Sequence, residues 1–154
     1  MNELISHCLA ETYKHVKVVQ KNLNIFVRDL ISRGENHDTT KFEEPELSIF
    51  AANTHKLAQT PYGGPEYKAL LAEVQPAIDH HYSKNRHHPE FWPNGINDMT
   101  LVDLLEMLAD WKAATERNKD GNIRKSIELN SIRYKMSPQL RLIFDNTVRE
   151  YFKE

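Results

Sequence analysis

The sequence contains one cysteine, Cys8, and only five glycines among its 154 residues. A single cysteine cannot form an internal disulfide, which favours a reducing cytoplasm as the setting. No stretch approaches the roughly 20 consecutive apolar residues that a membrane-spanning helix needs. Residues 1–33 also lack the apolar segment and the small-residue cleavage site of an export signal. We therefore expect a soluble cytoplasmic protein that does not contact a membrane.

An excess of charge of one sign is also missing. The 20 basic and 22 acidic residues give a net charge of −2, and nothing in this balance indicates binding to a nucleic-acid backbone. Hydrophobic residues make up 40% of the chain and charged residues 27%, which is typical of a folded globular protein. The length predicts a single domain over residues 1–154.

The scarcity of glycine and of strand-like alternation favours an all-α fold of about six helices. Apolar residues three and four positions apart predict a long amphipathic helix over 3–33, which Gly34 would end. The further helices are expected at about 39–50, 66–83, 100–114, 122–134 and 138–153. Residues 60–65 and 84–98 are predicted to be loops because they are rich in proline, glycine and asparagine. The helices over 122–153 are interpreted as packing elements that can also provide a homodimer face.

Local signals mark several helix starts. Thr100 with Asp103 three residues later is typical of a capping box. Ser137 followed by Pro138 indicates a capped start with proline at the first helical position. Thr39 or Thr40 is predicted to cap the second helix, with Pro45 in its first turns.

Histidine is unusually frequent and clustered in this sequence. Four of the eight histidines fall within residues 80–88. His37 and Asp38 are adjacent at the predicted junction between the first two helices. Both side chains can reach one metal ion where the backbone turns between them. Imidazole and carboxylate together suit borderline divalent ions.

Helical phase adds candidate ligands to this pair. His15 shares the phase of Cys8, Val19 and Phe26, and is therefore predicted to face the core. His81 has the phase of the apolar residues of the third helix, whereas His80 lies about 100° around that helix. Asp110 lies in the most apolar helix, where a carboxylate is costly to bury unless it is paired or coordinated.

Two segments, His37-Asp38-Thr39-Thr40-Lys41 and Ala109-Asp110-Trp111-Lys112-Ala113-Ala114, resemble motifs of the HD-domain superfamily of metal-dependent phosphohydrolases. The run His80-His81-Tyr82, followed by Asn85-Arg86-His87-His88-Pro89-Glu90, also resembles an uncharacterised family of short bacterial and phage proteins. The resemblance covers about residues 15–114. It implies an HD-domain-like helical fold with His15, His37, Asp38 and Asp110 as metal ligands, and Asp38 bridging if two ions bind. His80 and His81 match the positions that hold a second ion, and the metal would be Mn, Fe, Co, Ni, Mg or Zn.

The activity implied by this resemblance is hydrolysis of a phosphorylated small molecule, with a nucleotide as the first candidate. Asp38 or a loop histidine, His87 or His88, would transfer protons or contact phosphate. Lys41 could neutralise a phosphate charge, and Asn85 and Arg86 are weaker candidates for the same role. Four aromatic residues near the loops could stack on a base: Tyr62, Tyr82, Phe91 and Trp92.

Two other readings of the sequence stay open. The same ligand types can hold a di-iron centre that activates oxygen, as in some members of the superfamily. Alternatively, the chain is a non-enzymatic helical protein that binds and blocks another factor. Metal content and the effect of a chelator on thermal stability separate these cases.

Overall fold

The computed structural model describes residues 3–60, 64–117 and 120–152, without the side chains of 57 and 58. Within these ranges all regular structure is helical, which confirms the all-α prediction of six helices. The helices are α1 (Glu3–Asn36), α2 (Glu46–Gln59), α3 (Pro65–Lys84), α4 (Leu101–Glu116), α5 (Ile123–Arg133) and α6 (Pro138–Tyr151). Short 3-10 turns cover Thr39–Phe42, Pro89–Phe91 and Gly95–Asp98. None of the described helices has the length and apolar character needed to cross a membrane.

The chain divides into two compact units, residues 1–37 and 38–154. The first unit contains one regular element, α1, and none of the residues of α1 is buried. The expectation that His15, Cys8, Val19 and Phe26 face a core within this unit is therefore wrong, because all four are exposed and the described residues of the unit contain no second helix. The prediction of a single domain over the whole chain stays a prediction.

The first helix does not end at Gly34. It continues to Asn36, whose side-chain Nδ2 donates a hydrogen bond to the carbonyl of Ser32 at 2.7 Å. Glycine within a helix costs only about 1 kcal/mol relative to alanine, so a long helix tolerates it. A glycine close to a predicted end is thus a weak stop signal here.

The predicted second helix is broken into two pieces. The 3-10 turn at Thr39–Phe42 ends at Glu43, where the backbone becomes extended, and α2 begins only at Glu46. Pro45 precedes this helix and does not lie in its first turns. The reason is steric. Proline disfavours helical geometry at the residue before it, here Glu44, so the helix cannot run continuously through this point.

In the second unit, the buried core is formed by α4, α5 and α6. Its members are aliphatic and aromatic side chains that the three helices direct at one another: Leu104, Met107, Leu108, Trp111, Ile123, Ile127, Phe144 and Val148. The rings of Trp111 and Phe144 meet edge to face with their centroids 6.0 Å apart, an arrangement that aromatic pairs prefer. This core fixes α4, which lies beside the histidine-rich loop.

Two predicted caps are confirmed. Thr100 and Asp103 form a reciprocal capping box at the start of α4, and the hydroxyl of Ser137 accepts a hydrogen bond from the backbone N–H of Leu140 with Pro138 at the first helical position. Such caps satisfy backbone donors that have no partner within the helix.

Asp103 also connects α4 to the loop that follows α3. Its carboxylate is fully buried and accepts hydrogen bonds from Arg86 Nε at 3.0 Å and Arg86 Nη2 at 3.2 Å. The two-pronged contact fixes both the position and the orientation of the guanidinium. Arg86 therefore serves to anchor the loop in this structure, rather than extending freely toward a phosphate.

Replacing Asp103 by alanine is expected to lower the free energy of unfolding by about 2 kcal/mol, because it removes both the cap and the Arg86 contact. The measurement is urea unfolding of the metal-free protein followed by circular dichroism. Asp79→Ala, at an exposed position of α3, is the control. A change for Asp103→Ala within about 0.5 kcal/mol, the size of an ordinary surface substitution, would contradict this role.

Candidate metal centre

Asp38 stands at a sharp turn of the backbone. It precedes the 3-10 turn with φ 57° and ψ 21°, in the left-handed region. This conformation costs most non-glycine residues about 1 kcal/mol or more, although aspartate and asparagine adopt it more readily than other residues. The carboxylate is half-buried, and its Oδ2 accepts a hydrogen bond from Lys41 Nζ at 2.5 Å. The turn leaves Oδ1 facing the histidines of the second unit.

Two histidines converge on Oδ1 of Asp38, and a third lies beside them. His81 lies in the last turn of α3, and its Nε2 is 3.2 Å from that oxygen. His87 follows in the loop, with Nε2 at 3.5 Å from the same atom. His88 Nε2 lies 2.9 Å from His81 Nε2. One ligand atom from each of the four residues can be chosen so that all lie within 4.8 Å of one another.

The orientation of the His81 ring is fixed by Glu46, a fully buried residue at the start of α2. Oε2 of Glu46 lies 2.8 Å from Nδ1 of His81. A carboxylate only accepts hydrogen bonds, so we assign the ring proton to Nδ1. Nε2 then carries the lone pair, and it is the nitrogen that faces Asp38. Carboxylates that orient metal-binding histidines in this way are common in metalloproteins.

Glu46 also contacts His80, whose Nδ1 lies 2.8 Å from the other carboxylate oxygen, Oε1. Burial by itself raises the pKa of the Glu46 carboxyl, but the hydrogen bonds that it accepts, above all from His80, outweigh burial and hold the pKa below its ordinary value. Glu46 is therefore ionised at neutral pH. His80 belongs to this outer contact and not to the group of four converging residues.

His87 is arranged like His81. Its side chain is almost completely buried, and its Nδ1 lies 3.2 Å from Oε1 of Glu106 on α4. Its Nε2 and the Oδ1 of Asp38 are both buried atoms, and the 3.5 Å between them exceeds the usual length of an N–H···O hydrogen bond. This spacing suits two ligands of a common ion.

His88 is held in its neutral form. Burial is the main cause that lowers its pKa to about 3, and the neighbouring His87 and His81 contribute to the shift. The carboxylates of Asp38 and Asp110 act in the opposite direction without cancelling it. A neutral imidazole keeps a lone pair for a metal ion at physiological pH.

Asp110 lies on α4 and is half-buried. One of its carboxylate oxygens is within 4.8 Å of an oxygen of Asp38. Two carboxylates this close repel each other unless a proton or a cation lies between them. Asp110 therefore extends the cluster beyond the four converging residues.

The other candidates from the sequence occupy different positions. His15 is exposed on α1, and His37 is the last residue of the first unit. Metal ligation by these two residues stays a prediction. Lys41 is paired with Asp38. Asn85 donates through Nδ2 to the carbonyl of His81 at 2.8 Å and stabilises the end of α3.

The aromatic residues near the centre make contacts within the protein. Tyr82 packs against His88 with ring centroids 4.7 Å apart. The Arg86 guanidinium carbon lies 4.9 Å from the centroid of the Trp92 ring, and the ring centroids of Phe91 and Trp92 are 5.1 Å apart. Tyr62 is outside the described residues. That any of these rings stacks on a base stays a prediction.

Three imidazole nitrogens and one carboxylate oxygen are a donor set for zinc, iron, manganese, cobalt or nickel. Magnesium, which prefers oxygen ligands and retains water, fits this set least well. The second unit thus contains a cluster whose chemistry suits a divalent transition-metal ion. Glu46 and Glu106 were not found from the sequence, because a glutamate on an amphipathic helix has the pattern of a solvated surface charge.

Comparison with known proteins gives one match. The model of a family of unknown function, DUF5662, matches residues 4–150. No curated protein and no solved structure matches the chain significantly. The match spans both units, and its description assigns no chemistry to either of them.

Proposed function

The chain belongs to DUF5662, whose function is unknown, and from the chemistry of its histidine cluster we propose that it is a divalent-metal-dependent phosphohydrolase of the HD-domain type. The proposal depends on one observation above all. Asp38, His81, His87 and His88 bring four potential ligand atoms within 4.8 Å of one another. Carboxylates placed behind two of the rings support this reading, because such carboxylates commonly orient metal-binding histidines.

The residues of the centre have separable roles in this proposal. Asp38 and the three histidines would hold the ion, and the nearby Asp110 would help to hold a second one. When bound, a divalent ion supplies Lewis acidity toward phosphate oxygens and lowers the pKa of a bound water. Lys41, whose side chain is 39% exposed, would neutralise negative charge on the phosphate from the solvent side.

Proton transfer would fall to groups at the edge of the centre. Glu106 is 13% exposed and lies beside His87, so it would be within reach of a proton from solvent. The substrate class follows from the HD-domain resemblance, namely a phosphorylated small molecule, with nucleotides to be tested first. Specificity depends on the shape of the pocket rather than on the ligand set.

The proposal is tested by a phosphate-release screen. Purified protein is stripped with a chelator, reconstituted separately with Mn, Co, Ni, Fe or Zn, and incubated with nucleotides and sugar phosphates. We expect phosphate release with at least one ion and none from the stripped protein. Oxygen consumption together with a visible absorption band of bound iron would instead favour the di-iron oxygenase. Metal binding without turnover in either assay would contradict an enzymatic role.

Thermal melting gives an independent prediction. A metal that binds only the folded chain stabilises it by about 2.7 kcal/mol when its free concentration is one hundred times the dissociation constant. We therefore expect the melting temperature to fall on addition of EDTA and to recover when excess metal is restored. An unchanged melting temperature in both directions would contradict the metal centre and favour the non-enzymatic alternative.

A further inference from the structure

The first helix carries an apolar stripe that runs along nearly its whole length. α1 spans 34 residues, none of them buried. The residues of the stripe alternate in steps of four and three positions, and apart from Thr12 all are apolar: Ile5, Leu9, Thr12, Val16, Val19, Leu23, Phe26 and Leu30. Three of the largest, Leu9, Leu23 and Phe26, are 57%, 56% and 53% exposed. A stripe of this length exposed to water is unfavourable.

The spacing of the stripe is that of a coiled coil. Alternating steps of four and three give an average of 3.5 residues, the heptad repeat at which helices pack side by side. The pattern persists over nearly four heptads. The stripe therefore stays on one side of α1, where a second helix can contact it along its length.

The charges of α1 keep clear of this stripe. Lys14, Lys17, Lys21 and Arg28 lie at the outer heptad positions, on the opposite side of the helix. The positions that flank the stripe carry one formally charged side chain, Asp29, and Arg33 Nε neutralises it at 3.1 Å. Two identical helices can therefore approach along their stripes without bringing like charges together.

A single helix is also not a stable unit by itself. Isolated helices gain little from propensity alone, and most of their stability comes from packing of the apolar face. Among the described residues of its unit, 3–37, α1 is the one regular element. From the heptad spacing and the uncharged flanks, we propose that α1 packs against α1 of a second copy of this chain, so that the protein self-associates through its first helix.

The proposal does not depend on the metal centre. It places the homodimer interface on α1, whereas the expectation from the sequence was a homodimer face on the helices over 122–153. It is tested with the full-length protein by light scattering during size-exclusion chromatography and by sedimentation over a range of concentrations. We expect a mass at least twice the 18.0 kDa of the chain. A mass of one chain throughout would overturn the proposal and would mean that the stripe is covered within one molecule or not at all.

A matched pair of variants locates the interface. Leu23→Glu places a charge within the stripe, whereas Asn24→Glu places the same charge at the neighbouring exposed position, outside the stripe. We expect Leu23→Glu to raise the dissociation constant at least about tenfold and Asn24→Glu to leave it unchanged. Equal effects, or an unaltered mass for Leu23→Glu, would overturn the proposal.

A second measurement does not rely on a variant that could fail to fold. Cys8 is the one cysteine of the chain and is exposed on α1, so the wild-type protein can be labelled there. Mixed samples carrying donor and acceptor dyes should show energy transfer that is lost on dilution. An absence of transfer at concentrations where activity is assayed would overturn self-association through α1.

Discussion

Replacing Asp38 by asparagine is expected to abolish metal binding and phosphohydrolase activity while leaving the helical content unchanged. Asp38 supplies the oxygen on which His81 and His87 converge, at 3.2 and 3.5 Å. Without its negative charge, the three imidazoles alone would bind a divalent ion far more weakly. We expect at least a hundredfold loss of activity, because the loss of the ion removes about 2.7 kcal/mol or more of transition-state stabilisation.

Asparagine is the informative substitution because of the backbone at this position. The φ of 57° is tolerated by asparagine but strains alanine. Asp38→Asn therefore separates the loss of charge from a distortion of the turn. Asp79→Asn, at an exposed position of α3, is the control. Activity of Asp38→Asn within a few-fold of the wild type would refute the assignment of the ligand.

Replacing Glu46 by glutamine is expected to weaken metal affinity about 10- to 100-fold, the range seen when the partner of a metal-binding histidine is lost. The Glu46 carboxylate accepts from His80 and His81 at the same time, at 2.8 Å each. A glutamine has one carbonyl oxygen and one NH₂ group, so it can accept from one ring only. The other ring must then present an unprotonated Nδ1, which for His81 would move the proton to the metal-facing nitrogen.

Two measurements separate this effect from a general loss of stability. Metal affinity is determined by competition with a chromogenic chelator, and the tautomer of His81 is read from nitrogen chemical shifts of the metal-free protein. Glu73→Gln, at an exposed position of α3, should change neither. If Glu46→Gln kept both the wild-type affinity and the wild-type tautomer, Glu46 would have no role in positioning His81.

The parts of the fold that the sequence could predict are those governed by local interactions. Apolar period and capping chemistry located the helices, and the starts at Thr100 and Ser137 agree because each cap involves residues within one helical turn. The helix end at Gly34 and the helix start before Pro45 were predicted wrongly. Whether a helix stops at such a residue depends on competing local energies of about 1 kcal/mol. The apolar stripe of α1 was predicted correctly. Its periodicity does not show whether the same chain or a second one covers it.

The site was predictable by residue type more than by position. Asp38 and His81 were expected beside a metal, and the structure brings their side chains together. His87 and His88 were expected to contact substrate, whereas their nitrogens lie among the potential ligands. The conformation of an irregular loop, which decides where these rings point, leaves no periodic signal. Glu46 and Glu106 were missed for a related reason, since only tertiary packing shows that they are buried.

The most direct test of the metal centre is elemental analysis of the purified full-length chain beside Asp38→Asn, each stripped and then incubated with one ion at a time. The proposed centre predicts about one or two tightly held transition-metal ions per wild-type chain and a stoichiometry close to zero in the variant. A wild-type chain that retains none of the ions, or a variant that retains as much as the wild type, would contradict it.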